Sequence, residues 1–168
     1  GSVAGEKTYY FDDVTFNGET TPPPPPPATW EPITFDSAAV TYTLTGFGGA
    51  EDSTVVVDPT NAANNVARVV KSATAELWAG TTVSTGPNFS VPALPFTADN
   101  TTMSVRTWSP DAGIQIRLKV EDAADGSKSV ETEATTAAAG DWETLVFDFA
   151  NPAPGPPLLN LANTYHKV

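Results

Sequence analysis

"MSVRTWSPDAGIQIRLKVED" spans residues 103–122. In its second half Ile114, Ile116, Leu118 and Val120 alternate with Gln115, Arg117, Lys119 and Glu121. A period of two sends successive side chains to opposite faces of an extended chain, so this is a half-buried β-strand. In the first half Met103, Val105 and Thr107 alternate in the same way with Ser104, Arg106 and Trp108. Pro110-Asp111-Ala112-Gly113 joins the halves, with Pro second and Gly fourth, as a type I turn prefers. The stretch therefore predicts strand, turn, strand.

The pattern continues on both sides. Downstream, "SVETEATT" (129–136) and "WETLVFDF" (142–149) read as strands, the first reached through a turn at Asp125-Gly126. Upstream lie "TYYFDDVTF" (8–16), "ITFDS" (33–37), "VTYTLTGF" (40–47) and "STVVVD" (53–58). "NNVARVVKS" (64–72) and "ELWAGTTVS" (76–84) look like a strand pair. No long stretch carries apolar residues at helical spacing. Short strands every ten or so residues predict an all-β sandwich or jelly roll.

Asn17-Gly18 closes the first strand with a turn signal, and Pro22 to Pro27 follow. Proline lacks the N–H a ladder needs, so the run reads as a stiff polyproline spacer of roughly 19 Å. A proline-recognition ligand is the functional alternative. The expected organisation is residues 1–18 as a closing strand, 19–32 as a Pro-rich linker and 33–168 as the body.

At 168 residues the chain suits one domain with a proper core. A net charge of −12, with only eight Lys and Arg, argues against nucleic acid, anionic membranes and acidic polysaccharides. There is no cysteine, hence no disulfide and no thiolate metal site. No run of apolar residues is long enough to span a membrane as a helix. The opening Gly1-Ser2 reads as an expression scar, and Asn88 and Asn100 head glycosylation sequons that are common by chance.

Taken together, "TYYFDDVTF", "ITFD", "NNVARVVKS", "WAGTTVS", "MSVRTWSPDAGIQIRLKVED", "SVETEAT" and "WETLVFDFAN" resemble carbohydrate-binding modules of the family 4, 9 and 22 type, as attached to bacterial secreted glycanases. The likeness covers about residues 7–16 and 33–168, and the long central stretch is its specific part. It implies a non-catalytic β-jelly roll that binds a polysaccharide outside the cell, often with a structural calcium ion. Family members would continue after Tyr165–Val168 with another apolar strand and then the Asp-Asp strand. Here "TYYFDDVTF" precedes the body. The expectation is a boundary placed within a tandem array, or a permuted single domain. In either case Tyr9–Phe16 should complete a sheet, in its own chain or in a neighbour by strand exchange.

If the strands carrying Met103–Trp108, Ile114–Val120 and Val130–Ala134 lie side by side, one outward face carries Arg106, Trp108, Gln115, Arg117, Lys119, Glu131 and Glu133. Such a face suits sugars: an indole takes the C–H patches, and planar polar groups fix the hydroxyls. Cross-strand ion pairs on a solvated sheet would use the same residues equally well. Trp78 is a second stacking candidate, with Leu77 then inward; a core tryptophan is the alternative. Trp142 is expected at the sandwich rim, Trp30 against the linker and Tyr42 in the core.

The resemblance further implies calcium near the first and last strands, held by Asp36 with Asp12 or Asp13, and with Asp58 nearby. A solvated acidic rim is the alternative. His166, the lone histidine, is not expected to be a ligand. Glu131 and Glu133 share a face near glycosidase spacing, but neighbouring Arg and Lys would keep both ionised, so no enzyme is expected. The rival from another class is a stalk or adhesin repeat linked by strand exchange through Tyr9–Phe16.

Overall fold

The computed structural model describes residues 6–16 and 30–168. The proline run and the Asn17-Gly18 turn lie outside those residues. Within these residues nine strands follow one another: β1 (Lys7–Phe16), β2 (Thr43–Phe47), β3 (Thr54–Asp58), β4 (Asn61–Lys71), β5 (Gly80–Ser84), β6 (Thr102–Ser109), β7 (Gln115–Asp122), β8 (Asp125–Thr135) and β9 (Asp141–Asp148). Among the described residues there is no α-helix, only a single 3₁₀ turn at Pro87–Phe89. The all-β expectation holds.

Five strands form one antiparallel sheet in the order β3-β4-β1-β6-β9. Facing it are two antiparallel pairs, β2-β5 and β7-β8. All three contribute to one core. Ala67, Met103, Val105, Leu145 and Phe147 from the large sheet pack with Leu44 and Val83 of one pair and Val120 and Val130 of the other. Each of these residues is at an inward position of its alternating strand, which is why the sequence pattern produces a sandwich.

β1 is the central strand of the large sheet. Lys7–Phe11 pair with β4 and Tyr10–Phe16 with β6, all within the same chain. Its ladder shifts register between Asp12 and Thr15, where Asp13 adopts a φ of 45°. The bulge lets Val14 leave β6 and bond Ile33 in both directions, at 3.2 and 3.1 Å. That bridge is all the ladder residues 33–37 form, where the sequence predicts a strand; Phe35 beside it has φ 60° and packs edge-on to Phe11.

Two pairings differ from expectation. β5 pairs with β2, not with β4, because residues 76–79 turn away before the strand begins at Gly80. The β7–β8 turn falls at Ala123-Ala124, two residues before Asp125-Gly126. There Asp122 accepts the Ala124 N–H at 2.8 Å, an Asx turn that the aspartate makes available first. Tyr42, expected in the core, is half-buried at its edge against Phe35, and Trp30, expected against the linker, also packs on the core edge.

Candidate functional site

β6 and β7 belong to different sheets, so the single seven-residue face expected from three adjacent strands does not form. The residues divide between two places. Arg106 and Trp108 lie on the outer face of the large sheet. Gln115, Arg117, Lys119, Glu131 and Glu133 lie on the outer side of the β7-β8 pair, across the core. The physical reason is the turn at 110–113: it carries the chain from one layer to the other instead of folding it back in the same sheet.

The second group, apart from Glu133, borders a groove of about 900 Å³ between β5 and β7. Gln115, Arg117, Lys119 and Glu131 line one wall, and Phe47, Trp78 and Thr81 the other. Its floor is the inner face of the large sheet, with Tyr9, Phe11, Val69 and Val105. Trp78 is 67% exposed and Leu77 70%, so neither is a core residue and Leu77 does not turn inward.

Trp78 is nonetheless held in place. Its ring lies parallel to Phe47, with centroids 6.3 Å apart and planes 13° apart. The pair rests on bare backbone: a Cβ on Gly48 would come within 2.8 Å of the Trp78 ring, and one on Gly80 within 2.9 Å of Phe47. Lys71 Nζ donates to the Leu77 carbonyl at 3.1 Å, and the Glu76 N–H to Gly48 at 2.9 Å, tying the loop to β4 and β2. Across the groove Arg117 bridges both glutamates, Glu131 at 3.2 Å and Glu133 at 3.1 Å. Lys119, which faces Glu131 in register, turns instead to Glu121 at 2.8 Å. The Arg–Glu pairing expected across the strands is thus present, and it fixes the guanidinium plane.

On the outer face of the large sheet a polar cluster gathers around Arg106. The guanidinium stacks over Trp142 at 3.8 Å and reaches Asp58 at 3.3 Å and Asp12 at 3.8 Å. Asn64 donates to both aspartates, and Trp142 Nε1 donates to Thr60 at 3.0 Å. Trp108 packs edge-on against Tyr10, 5.4 Å away. Arg106 is thus committed to internal partners, and Trp142 is half-buried over it.

Of the four candidate metal ligands, Asp12 and Asp58 meet at Asn64 and Arg106, while Asp13 and Asp36 have other surroundings. Burial pushes the Asp58 carboxyl up, but hydrogen bonds from Thr60, Asn64 and Arg106 overcome it and hold it down at about 2. Both Asp58 oxygens are therefore taken. Asp12 differs: Oδ2 accepts from Asn64 at 2.8 Å, while Oδ1 is buried with no hydrogen-bond partner. Burial raises its carboxyl to about 6, against the bonds from Asn64 and the Asp13 backbone and aided by the negative charges of Asp13 and Asp36. Asp36 itself accepts from the backbone and side chain of Asn65 at 2.9 and 3.0 Å, and Asp13 is exposed. Among the described residues no three carboxylates or imidazoles stand close enough together to form a preformed cluster. A hard oxygen-seeking cation finds one unpartnered oxygen there, the buried Asp12 Oδ1. The His166 ring meets the Thr164 carbonyl at 3.4 Å and Asp122 at 3.9 Å, and is no part of either site.

Phe47, Thr60, Asn64 and Trp142 were not singled out as site residues from the sequence. Only the two glycines flanking Phe47 hinted at a tightly packed aromatic there. The chain matches no protein-family model, no curated protein and no solved structure.

Proposed function

We propose that this chain is a non-catalytic carbohydrate-binding module, resembling the family 4, 9 and 22 type, that docks a larger secreted or surface protein to a neutral polysaccharide such as a β-glucan. The observation that carries the reading is the exposed, braced Trp78–Phe47 pair across one groove from Gln115, Arg117 and Glu131. An indole held flat at a groove mouth is a stacking surface for a sugar ring. Groups already fixed by ion pairs lose little freedom when they meet hydroxyls. The net charge of −12 favours a neutral glycan over an acidic one. Calcium, where bound, would be held through Asp12 Oδ1 with Asp13 or Asp36, and would supply structural charge balance, not chemistry.

Affinity gel electrophoresis against soluble glycans tests this. Retardation by a neutral glycan is expected, lost in Trp78→Ala and weakened in Arg117→Ala. Arg106→Ala should leave retardation intact in protein that remains folded, because Arg106 faces the other side. Retardation by no neutral glycan, or retardation unchanged in Trp78→Ala, refutes the reading.

A stalk or adhesin repeat is the second reading. It is favoured by β5 and β7, which among the described residues each have one ladder partner strand and face one another across the groove.

A further inference from the structure

We propose that the outer face of the large sheet is an interface for a second copy of this chain, centred on Tyr10 and Trp108. This is independent of the glycan reading, which uses the other side of the sandwich.

One row of outward side chains crosses the whole sheet. Thr54 of β3 pairs with Arg68 of β4, Arg68 with Tyr10 of β1, Tyr10 with Trp108 of β6, and Trp108 with Trp142 of β9. The residues beside them, Ala67, Phe11 and Thr107, turn inward, so the row itself turns out. At about 4.8 Å per strand, Arg68 to Trp142 spans about 14 Å. The solvated face of a sandwich ordinarily carries polar side chains at such positions. Tyrosine, tryptophan and arginine together are instead the composition of an interface centre.

The row also holds groups without partners. Arg68 is exposed, and among the described Lys and Arg it alone makes no ion pair or hydrogen bond to a described residue. The Tyr10 hydroxyl and the Trp108 indole N–H likewise have no hydrogen-bond partner among the described residues, and the two rings meet edge-on at 5.4 Å. Trp142 is held from beneath by Arg106 at 3.8 Å and from the side by Thr60 at 3.0 Å, so one face of its half-buried ring is left for a partner.

The order of the row selects a second copy as that partner. A two-fold axis parallel to the strands, running between β1 and β6, lays each row on its twin in reverse. Tyr10 then meets Trp108, and Arg68 meets Trp142. Both contacts are favourable, aromatic on aromatic and guanidinium on indole, and the symmetry makes each of them twice. Arg68 gains the partner it lacks within its own copy. Two chains of −12 repel one another, but physiological salt screens charges beyond about 8 Å. The acids nearest the row, Asp12 and Asp58, already face Arg106. Five strands at about 4.8 Å and eight residues at about 3.3 Å bound a face of roughly 600 Å², below the about 800 Å² per partner of a stable complex. The dimer is therefore weak, populated at about 200 μM and dissociated at about 2 μM.

The test is sedimentation of the whole chain at those two concentrations, with the indole N–H resonances of Trp78 and Trp108 followed through the same dilution. A dimer at the higher concentration is expected, with the Trp108 signal moving and the Trp78 signal still. Arg68→Glu should weaken association by at least about tenfold and keep Tm within about 2 °C, since Arg68 is exposed. Trp108→Ala should do the same to association; if it does not fold, Arg68→Glu decides alone. A monomer at both concentrations overturns the proposal. So does a dimer that persists in folded Arg68→Glu, or one in which the Trp78 signal moves and that of Trp108 does not, which would place the contact at the groove. Glycan retardation is scored separately and should be unchanged in Arg68→Glu, so the two ideas fail independently.

Discussion

Trp78 combines two properties that seldom coincide, high exposure and a fixed ring. Its removal should therefore separate binding from folding. Trp78→Ala is expected to weaken glycan retention by about tenfold or more while Tm stays within about 2 °C, since little buried surface is lost. Gly80→Ala tests the bracing itself. The new Cβ would meet Phe47 at 2.9 Å, so the aromatic pair must shift and retention should fall with the indole still present. Retention unchanged in Gly80→Ala would show that ring placement does not matter. Asp12 is the other informative side chain. Its folded carboxyl holds a proton up to about 6, against 3.8 for the ordinary value, so the native state binds the proton more tightly than the unfolded state. Its contribution to stability is then greatest at low pH and falls as pH rises from 3.8 to about 6. Asp58, held at about 2, acts in the opposite sense, stabilising above 3.8 and losing that stabilisation as pH drops toward about 2. In chelator, Asp12→Asn should flatten the decline between pH 4 and 6 seen in thermal melts of the unmodified chain; a parallel decline in both would exclude Asp12 as its cause.

The last four residues act as an element although they form no regular strand. Tyr165 is buried, its N–H-linked neighbours bond β7, and Lys167 ion-pairs with Glu121. Burial raises the Glu121 carboxyl, but Lys119 and Lys167 outweigh burial and bring it below its usual value of 4.5. The stabilisation from this ion-pair cluster is therefore present above pH 4.5 and lost as pH falls below it. Glu121→Gln should lower stability at pH 7 by roughly 1–2 kcal/mol, seen as a lower Tm, and match the unmodified chain near pH 3. Equal melting at both pH values would show that the cluster contributes nothing. β9 makes the complementary case for apolar packing. Phe147 is 1% exposed, and Phe147→Ala should cost about 3–5 kcal/mol in chemical denaturation, through lost transfer energy and the cavity left behind.

For the molecule as a whole, twenty acidic residues against eight basic ones make self-repulsion a standing cost, and a bound cation would relieve it. Calcium is expected to raise Tm, with the rise removed by chelator and absent in Asp12→Ala. An identical Tm with calcium and with chelator would remove the metal from the account. The two clusters on opposite sides of the sandwich also differ in kind: the Arg106 cluster is satisfied by internal partners, whereas the groove stays open, which is why the proposed glycan contacts are assigned to the groove.

Alternation is a local property, so the strands and their buried faces could be read directly. Ile116, Leu118 and Val120 point to the core because a polar residue there would lose its water, and no distant contact is needed to know it. The same alternation placed Arg117, Glu131 and Glu133 on one face, although the turn between their strands falls at Ala123-Ala124 and not at Asp125-Gly126. It could not place Arg106 beside Arg117, and the expectation that it did was wrong. Whether consecutive strands share a sheet or face each other across the core depends on which arrangement buries more apolar surface over the entire chain. That is also why Trp78 could not be assigned from sequence: whether its loop is covered depends on β5 pairing with β2, thirty-odd residues away. The partners of Asp12 and the open slot between β5 and β7 arise in the same way, from long-range packing that no short stretch of residues encodes.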